Sequence, residues 1–209
     1  MAIPARLHNQ VYFWLLLCSL LCPTLLLGAQ SATPDGDWWQ KSSAAEQEGF
    51  ILGYGECYAS ADSTRVREIS DEADIRIAVS TYYQSHAAER HRPTAKVLQD
   101  VWSGHIVVRG SKPAREGEGW RERHGFLDGG WWKGSNPSEQ LGFVEGYVAC
   151  HNAEERKQPP LRHLPSLYVS QVSSWYDQAG DEDAVAQRRA TKIQEVLTRL
   201  DMPAVAGKR

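Results

Sequence analysis

Glu46 and Glu139 are the residues of this sequence best placed to do chemistry, because they occupy the same position in two segments that repeat each other. A pair of carboxylates can act as general acid and general base, as in glycoside hydrolysis. Each glutamate also stands three residues after a helix-capping residue, Ser43 or Asn136, where its side chain can satisfy a free backbone N–H. We expect this structural role. A hydrolase acting on a cell-envelope glycan or peptide through Glu46 and Glu139 is the alternative.

Two tryptophan pairs, Trp38-Trp39 and Trp131-Trp132, follow an Asp-Gly turn and come just before the repeated helix. Together they could form an aromatic platform for a sugar or another small ligand, which would make the protein a ligand carrier. They could equally close one end of a small helical core, with one tryptophan of each pair buried. We expect the structural role and keep the carrier as an alternative.

A third group of chemically active residues lies in the segment between the repeats, and it consists of His105, Arg109, Trp120, Arg121, Arg123 and His124. This segment is either a solvated loop of mixed charge or a recognition loop for an anionic group or a protein partner. The histidines do not have metal-ligand spacing, and no CxxC, GxSxG or phosphate-binding glycine loop occurs. We therefore predict no metal site, no cofactor and no enzyme activity.

The segments 35–57 and 128–150 align without a gap when each residue is compared with the one 93 positions later. Twelve of the twenty-three positions are identical, among them paired tryptophans, paired glycines and a cysteine. Such rare residues do not match by accident, so we interpret the chain as a tandem duplication.

Each copy is predicted to contain three helices. Capping boxes begin the first helix, at about 44–59 and 137–152. Apolar residues at helical spacing predict a second helix at 71–90 and 166–178 and a third at 94–102 and 183–200. The glycine-rich segment between the copies contains a strand-like stretch, 105–109, and we predict a linker there that could hold a short β-hairpin.

The residues of the first helix that match between the copies all fall on one face of a helical projection. This face carries a ridge of small residues, and its glycines would cost about 1 kcal/mol each relative to alanine inside a helix. Close approach of another helix offsets such a cost. The ridge glycines and the flanking aromatic residues are Gly49, Gly53, Gly142, Gly146, Phe50, Phe143, Tyr54 and Tyr147.

Cys57 and Cys150 end this face at equivalent positions. If the copies meet around a pseudo-two-fold axis near these helix ends, the two sulfurs face each other. We expect a disulfide, because a lone cysteine pair in an exported protein favours one. The alternative is that each cysteine is a buried thiol within its own copy.

The N-terminus has the layout of a secretory signal peptide, with Arg6, an uncharged apolar run at 11–28 and small residues near 29–32. An uncleaved membrane anchor is the alternative, since the run is almost long enough to cross a bilayer. Removal of residues 1–31 leaves 22 basic and 26 acidic residues, a net charge of −4. A mildly acidic chain without a basic stripe is a poor candidate for nucleic-acid binding.

The exported leader, the sequence GF[IV]xGY at 49–54 and 142–147, the tyrosine-bearing second helix and the short third helix resemble the small periplasmic immunity proteins that neutralise amidase toxins delivered by type VI secretion. The resemblance covers 44–102 and 137–200. Those proteins usually have one copy and an internal cysteine pair, so no partner-binding residue is carried over. The resemblance implies a helical exported protein that binds and inhibits another protein.

Together these patterns predict an all-α protein made of two tandem three-helix repeats related by pseudo-two-fold symmetry. The expected organisation is a signal peptide at 1–31, repeats at 35–102 and 129–201, a linker at 103–128 and a disordered tail at 202–209. The expected function is binding of a protein partner in the cell envelope, in the periplasm or outside the cell, with contact to the membrane only through an uncleaved leader.

Overall fold

The computed structural model describes residues 33–61, 72–106, 127–153 and 160–201, which all belong to one unit, Thr33–Arg209. Helices dominate these ranges, in which no β-strand occurs, so the prediction of an all-α protein is confirmed. The α-helices are α1 Gly36–Lys41, α2 Ala44–Ala61, α3 Glu72–Ser85, α4 Thr94–Trp102, α5 Gly129–Gly134, α6 Pro137–Ala153, α7 Pro165–Tyr176, α8 Glu182–Ala190 and α9 Ile193–Asp201. None of the helices described is long and apolar enough to cross a membrane.

Helices α2 and α6 begin at the positions that the capping boxes predicted. The Ser43 hydroxyl accepts a hydrogen bond from the backbone N–H of Glu46 (3.2 Å), and the Asn136 side chain accepts one from Glu139 (3.0 Å). Pro137 is the first residue of α6, where its missing N–H costs nothing. The predicted bounds, 44–59 and 137–152, differ from the observed helices by only one or two residues at their ends.

The glycine ridges of α2 and α6 pack directly against each other, and the two helices run in the same direction. A Cβ atom placed on Gly49 would lie 2.1 Å from the carbonyl oxygen of Glu139, and one on Gly142 would lie 1.9 Å from that of Glu46. Real Cβ atoms do not approach a carbonyl oxygen so closely, so only glycine fits at these contacts. The predicted close approach of a second helix along the ridge is therefore confirmed.

The tryptophan pairs lie on the short helices α1 and α5, so the Asp-Gly turn predicted before the repeated helix is wrong. Asp35 caps α1 by accepting hydrogen bonds from the N–H groups of Asp37 and Trp38, both at 3.0 Å. Asp128 caps α5 in the same way. An aspartate at an N-cap satisfies N–H groups that have no partner within the helix, which lets even one and a half turns form.

The second predicted helix is too long in the first half of the chain. Helix α3 ends at Ser85, and a 3₁₀ turn at Ala87–Glu89 follows it. The hydroxyl of Tyr83 then donates a hydrogen bond to the carbonyl oxygen of Arg92 (2.8 Å), which ties α3 to the segment leading into α4.

The third predicted helix of the second half, 183–200, is two helices, α8 and α9. Thr191 is the extended C-cap of α8, and its carbonyl oxygen accepts a hydrogen bond from the Tyr176 hydroxyl (2.8 Å). The next residue, Lys192, forms an isolated β-bridge with Asp128. These contacts require extended backbone at 191–192, so tertiary structure overrides the helical periodicity. The three-helix description of each half is corrected accordingly.

Several sequence predictions fall outside the described residues. They are the signal peptide at 1–31, the strand-like stretch beyond Ile106 with its β-hairpin, most of the linker, and the tail at 202–209.

Candidate functional site

Cys57 and Cys150 form the predicted disulfide. Both side chains are fully buried, and their Cα atoms are 6.1 Å apart. The bond joins α2 to α6 near the C-terminal ends of the two helices, on the same face as the glycine ridges. The alternative of separate buried thiols is excluded, although both sulfurs are indeed inside the core.

One tryptophan of each pair is buried. Trp39 and Trp132 are 1% and 0% exposed, and each indole N–H donates a hydrogen bond to a serine hydroxyl at 3.0 Å, Ser80 and Ser173 respectively. Trp39 and Trp132 are core residues, so assigning them to a ligand-binding platform is wrong. The expectation that one member of each pair is buried is correct.

The other tryptophan of each pair is partly exposed. Trp38 lies against Phe50 with ring centroids 5.0 Å apart, and Trp131 lies against Phe143 at 5.2 Å. Both phenylalanines are completely buried, so they hold one side of each indole in place. Of the four tryptophans in the two pairs, only Trp38 and Trp131 have surface available to a ligand.

Glu46 and Glu139 lie in different surroundings. The backbone carbonyl of each contacts a glycine of the opposite helix, as described above, so both backbones belong to the α2–α6 contact. The Glu139 side chain lines a surface cleft, whereas the Glu46 carboxylate acts electrostatically on Glu145. Both residues are half-buried. Glu46 therefore acts on Glu145, whereas Glu139 lines the cleft together with Glu48 and Glu72.

The cleft has a volume of about 270 Å³ and lies where the first half of the chain meets the second. Helices α2 and α3 contribute one side, and Leu127, α5 and α6 contribute the other. We call it the acidic cleft, since three of its seven lining residues are glutamates. The lining residues are Glu48, Leu52, Glu72, Ala73, Leu127, Trp131 and Glu139.

One cation lies next to these carboxylates. The Nε atom of Arg76 is 3.3 Å from Oε1 of Glu48, and both side chains are partly exposed. An exposed ion pair of this kind contributes little to stability. Arg76 thus pairs with Glu48, one of the three glutamates that line the cleft.

Glu145 is the most unusual carboxyl group in the described part of the chain. Burial raises its pKa to about 7, and the negative charge of Glu46 adds to this rise. Its Oε2 atom is buried without a hydrogen-bond partner. The residue 93 positions earlier is Leu52, which shows that this position of the helix accepts an apolar side chain. Burial of a carboxyl group in such a place favours its neutral form.

The predicted linker group is described only at its start. His105 is exposed, and its Nδ1 atom lies 2.6 Å from the Ser103 hydroxyl. The remaining members of the group, Arg109, Trp120, Arg121, Arg123 and His124, lie outside the described residues. The recognition loop therefore stays a prediction from the sequence.

One group of side chains has the spacing to hold a metal ion within the described ranges. Ligand atoms of Asp35, Asp37 and His91 lie within 4.8 Å of one another. One oxygen of Asp35 already caps α1, and the His91 side chain is 87% exposed. The prediction of no metal site rested on histidine spacing and on the absence of cysteine motifs, and it did not consider this group. A surface cluster around a helix cap is weak evidence for a ligand.

Sequence analysis missed the acidic cleft and Glu145. Glu48 and Glu72 have no counterparts in the second half, where Leu141 and Pro165 stand at the equivalent positions. The sequence signal was this mismatch, in which a carboxylate in one half of the chain aligns with an apolar residue or proline in the other.

Comparisons of the chain with protein-family models, with curated proteins and with solved structures find no match.

Proposed function

We propose that this chain is an exported helical binding protein of the cell envelope that uses the acidic cleft to contact a protein partner. In this proposal the protein is two copies of one helical unit, related by pseudo-two-fold symmetry and joined by the α2–α6 pair. The copies supply the scaffold, and the acidic cleft combines two residues that match between the copies, Trp131 and Glu139, with Glu48 and Glu72, which differ between them.

Contacts that recur 93 residues apart support the duplication. The Gln47 side chain donates a hydrogen bond to the carbonyl oxygen of Trp39 (2.6 Å), and Gln140 donates one to that of Trp132 (2.7 Å). The aspartate caps, the indole-to-serine bonds and the tyrosine hydroxyl bonds described above recur in the same way. These hydrogen bonds give structural roles to the matched aspartates, glutamines, buried tryptophans and serines.

The observation that carries the binding function is the composition of the acidic cleft. Leu141 and Pro165 at the positions equivalent to Glu48 and Glu72 indicate that the helical unit needs no carboxylate there. Polar groups that a scaffold does not require, gathered in a concave site beside a partly exposed tryptophan, are typical of a binding site.

The compartment and the class of partner rest on two further points. A fully buried disulfide is typical of proteins that fold in an oxidising environment, which supports export to the periplasm or beyond. The resemblance to immunity proteins supports a protein partner that is bound and inhibited. No residue of that family is transferred to this chain.

The test is capture from envelope extracts of the cells that make the protein. The full chain, Glu48→Gln, Glu139→Gln and the control Glu182→Gln are immobilised, and retained proteins are identified by cross-linking and mass spectrometry. Glu182 is exposed on α8, away from the residues that line the cleft. We expect a protein retained by wild type and control and lost from both cleft variants. A protein retained equally by wild type and by both cleft variants would contradict the proposal.

Glu145 favours one second candidate, a hydrolase. A carboxyl group that keeps its proton near pH 7 beside Glu46 has the properties of an acid–base pair. This version replaces the sequence-based pair Glu46 and Glu139 with Glu46 and Glu145. Hydrolysis of a cell-wall glycan or peptide by the purified chain, abolished by Glu46→Gln and by Glu145→Gln, would establish it in place of the binding proposal.

A further inference from the structure

We propose that the acidic cleft takes the side chain of an arginine presented by the protein partner. This inference rests on the proposed function and goes beyond it by assigning the chemistry of the group that is bound.

Size is the first reason. Sites for small ligands are usually about 300–1,000 Å³, so a cleft of about 270 Å³ lies at or below the lower limit. This volume suits one long side chain better than a sugar chain or a lipid. An occupant anchored by a single side chain is the usual arrangement at the centre of a protein interface, where arginine is enriched.

Charge is the second reason. Arg76 pairs with Glu48, whereas the Glu139 carboxylate has no ion pair among the described residues, so Glu139 gives the lining an excess of negative charge. A cation is the complementary occupant. An anionic side chain of the partner would be repelled by this negative charge, so electrostatics disfavours it as the occupant.

The tryptophan is the third reason, and it favours arginine over lysine. Trp131 lines the cleft, and its indole packs on the buried ring of Phe143. A guanidinium group stacks on an aromatic face and can bind a carboxylate through two hydrogen bonds at once. An ammonium group has no planar face for such stacking. The apolar lining, Leu52, Ala73 and Leu127, suits the methylene stem of a long cationic side chain.

Short blocked peptides test this assignment on the full chain. The probes are a peptide with one central arginine, the same peptide with lysine, and the same peptide with citrulline, which is neutral and has nearly the same shape. Binding is followed by tryptophan fluorescence and by calorimetry at low ionic strength. We expect the arginine peptide to bind about tenfold more tightly than the citrulline peptide, a difference of about 1.4 kcal/mol, and more tightly than the lysine peptide.

Three variants show whether binding occurs in the cleft. Glu139→Gln and Trp131→Phe are each expected to weaken the arginine peptide at least about fivefold, while Glu182→Gln leaves it unchanged. Unchanged thermal unfolding of each variant shows that a loss of binding is local. Equal binding of citrulline and arginine, tighter binding of lysine, or tighter binding of spermidine would overturn the assignment. The capture experiment tests the proposed function separately. If capture still depended on the cleft in those cases, only the arginine assignment would be wrong.

Discussion

Cys57 and Cys150, which are 93 positions apart in the sequence, join two parallel helices from opposite halves of the chain, and both sulfurs are fully buried. Closing so long a loop lowers the entropy of the unfolded chain more than closing a short one. The bond therefore stabilises the folded chain, and it holds the α2–α6 pair together at its C-terminal end.

Replacement of both cysteines by alanine is expected to lower the free energy of unfolding by about 4–5 kcal/mol, the value for closing a loop of this length. Denaturant unfolding of the double variant and the oxidised wild type measures the difference. The intact mass, about two daltons higher after reduction, verifies that one bond is present. A double variant as stable as the oxidised protein would show that the bond contributes nothing to the fold.

Trp39→Phe and Trp132→Phe are expected to destabilise the protein by similar amounts, about 1–3 kcal/mol each, because each loses a bond to serine and leaves a cavity. Trp38→Phe, at a partly exposed position, serves as the control and is expected to cost less. Thermal or denaturant unfolding compares the three variants. A large effect at only one of the two buried positions would indicate that they do not play equivalent parts.

Glu145 is expected to make stability depend on pH. Its pKa rises from 4.5 to about 7 on folding, so the folded chain binds more protons between these values and loses stability as the pH rises through this window. Glu145→Gln stays neutral. It should match wild type near pH 4 and exceed it above pH 7 by more than about 1 kcal/mol. Unfolding at several pH values tests this, and a constant difference between the two proteins would show that Glu145 keeps its ordinary pKa.

Sequence patterns predicted the parts of the structure that depend on local signals. The caps at Ser43 and Asn136, the bounds of α2 and α6 and the small-residue face follow from spacing along one helix. For these features, residues a few turns apart contain the whole signal. The disulfide was expected on other grounds, because Cys57 and Cys150 are a lone cysteine pair in a chain with the layout of an exported protein and end equivalent helices of the repeat.

The remaining features depend on contacts between distant segments. Helices α1 and α5 are so short that an aspartate cap and a buried indole decide their formation, and neither is visible in hydrophobic periodicity. The break between α8 and α9 follows from the bonds at Thr191 and Lys192. The acidic cleft combines residues from four helices, so no linear motif could have revealed it.

The two glycine ridges hold α2 against α6 by direct contact, and Gly53→Ala tests this contact. A Cβ atom there would lie 1.9 Å from the carbonyl oxygen of Phe143, and one on Gly146 would lie 2.1 Å from that of Phe50. Alanine normally stabilises a helix by about 1 kcal/mol relative to glycine, so the sign of the change decides the question.

The measurement is the free energy of unfolding of Gly53→Ala and Gly146→Ala, with Gly134→Ala as the matched control. A Cβ atom on Gly134 meets nothing within 4 Å. We predict a loss of about 3 kcal/mol or more for each ridge variant, because backbone must move against backbone, and no loss for the control. Ridge variants as stable as the control or more stable would contradict the helix pair on which the whole interpretation rests.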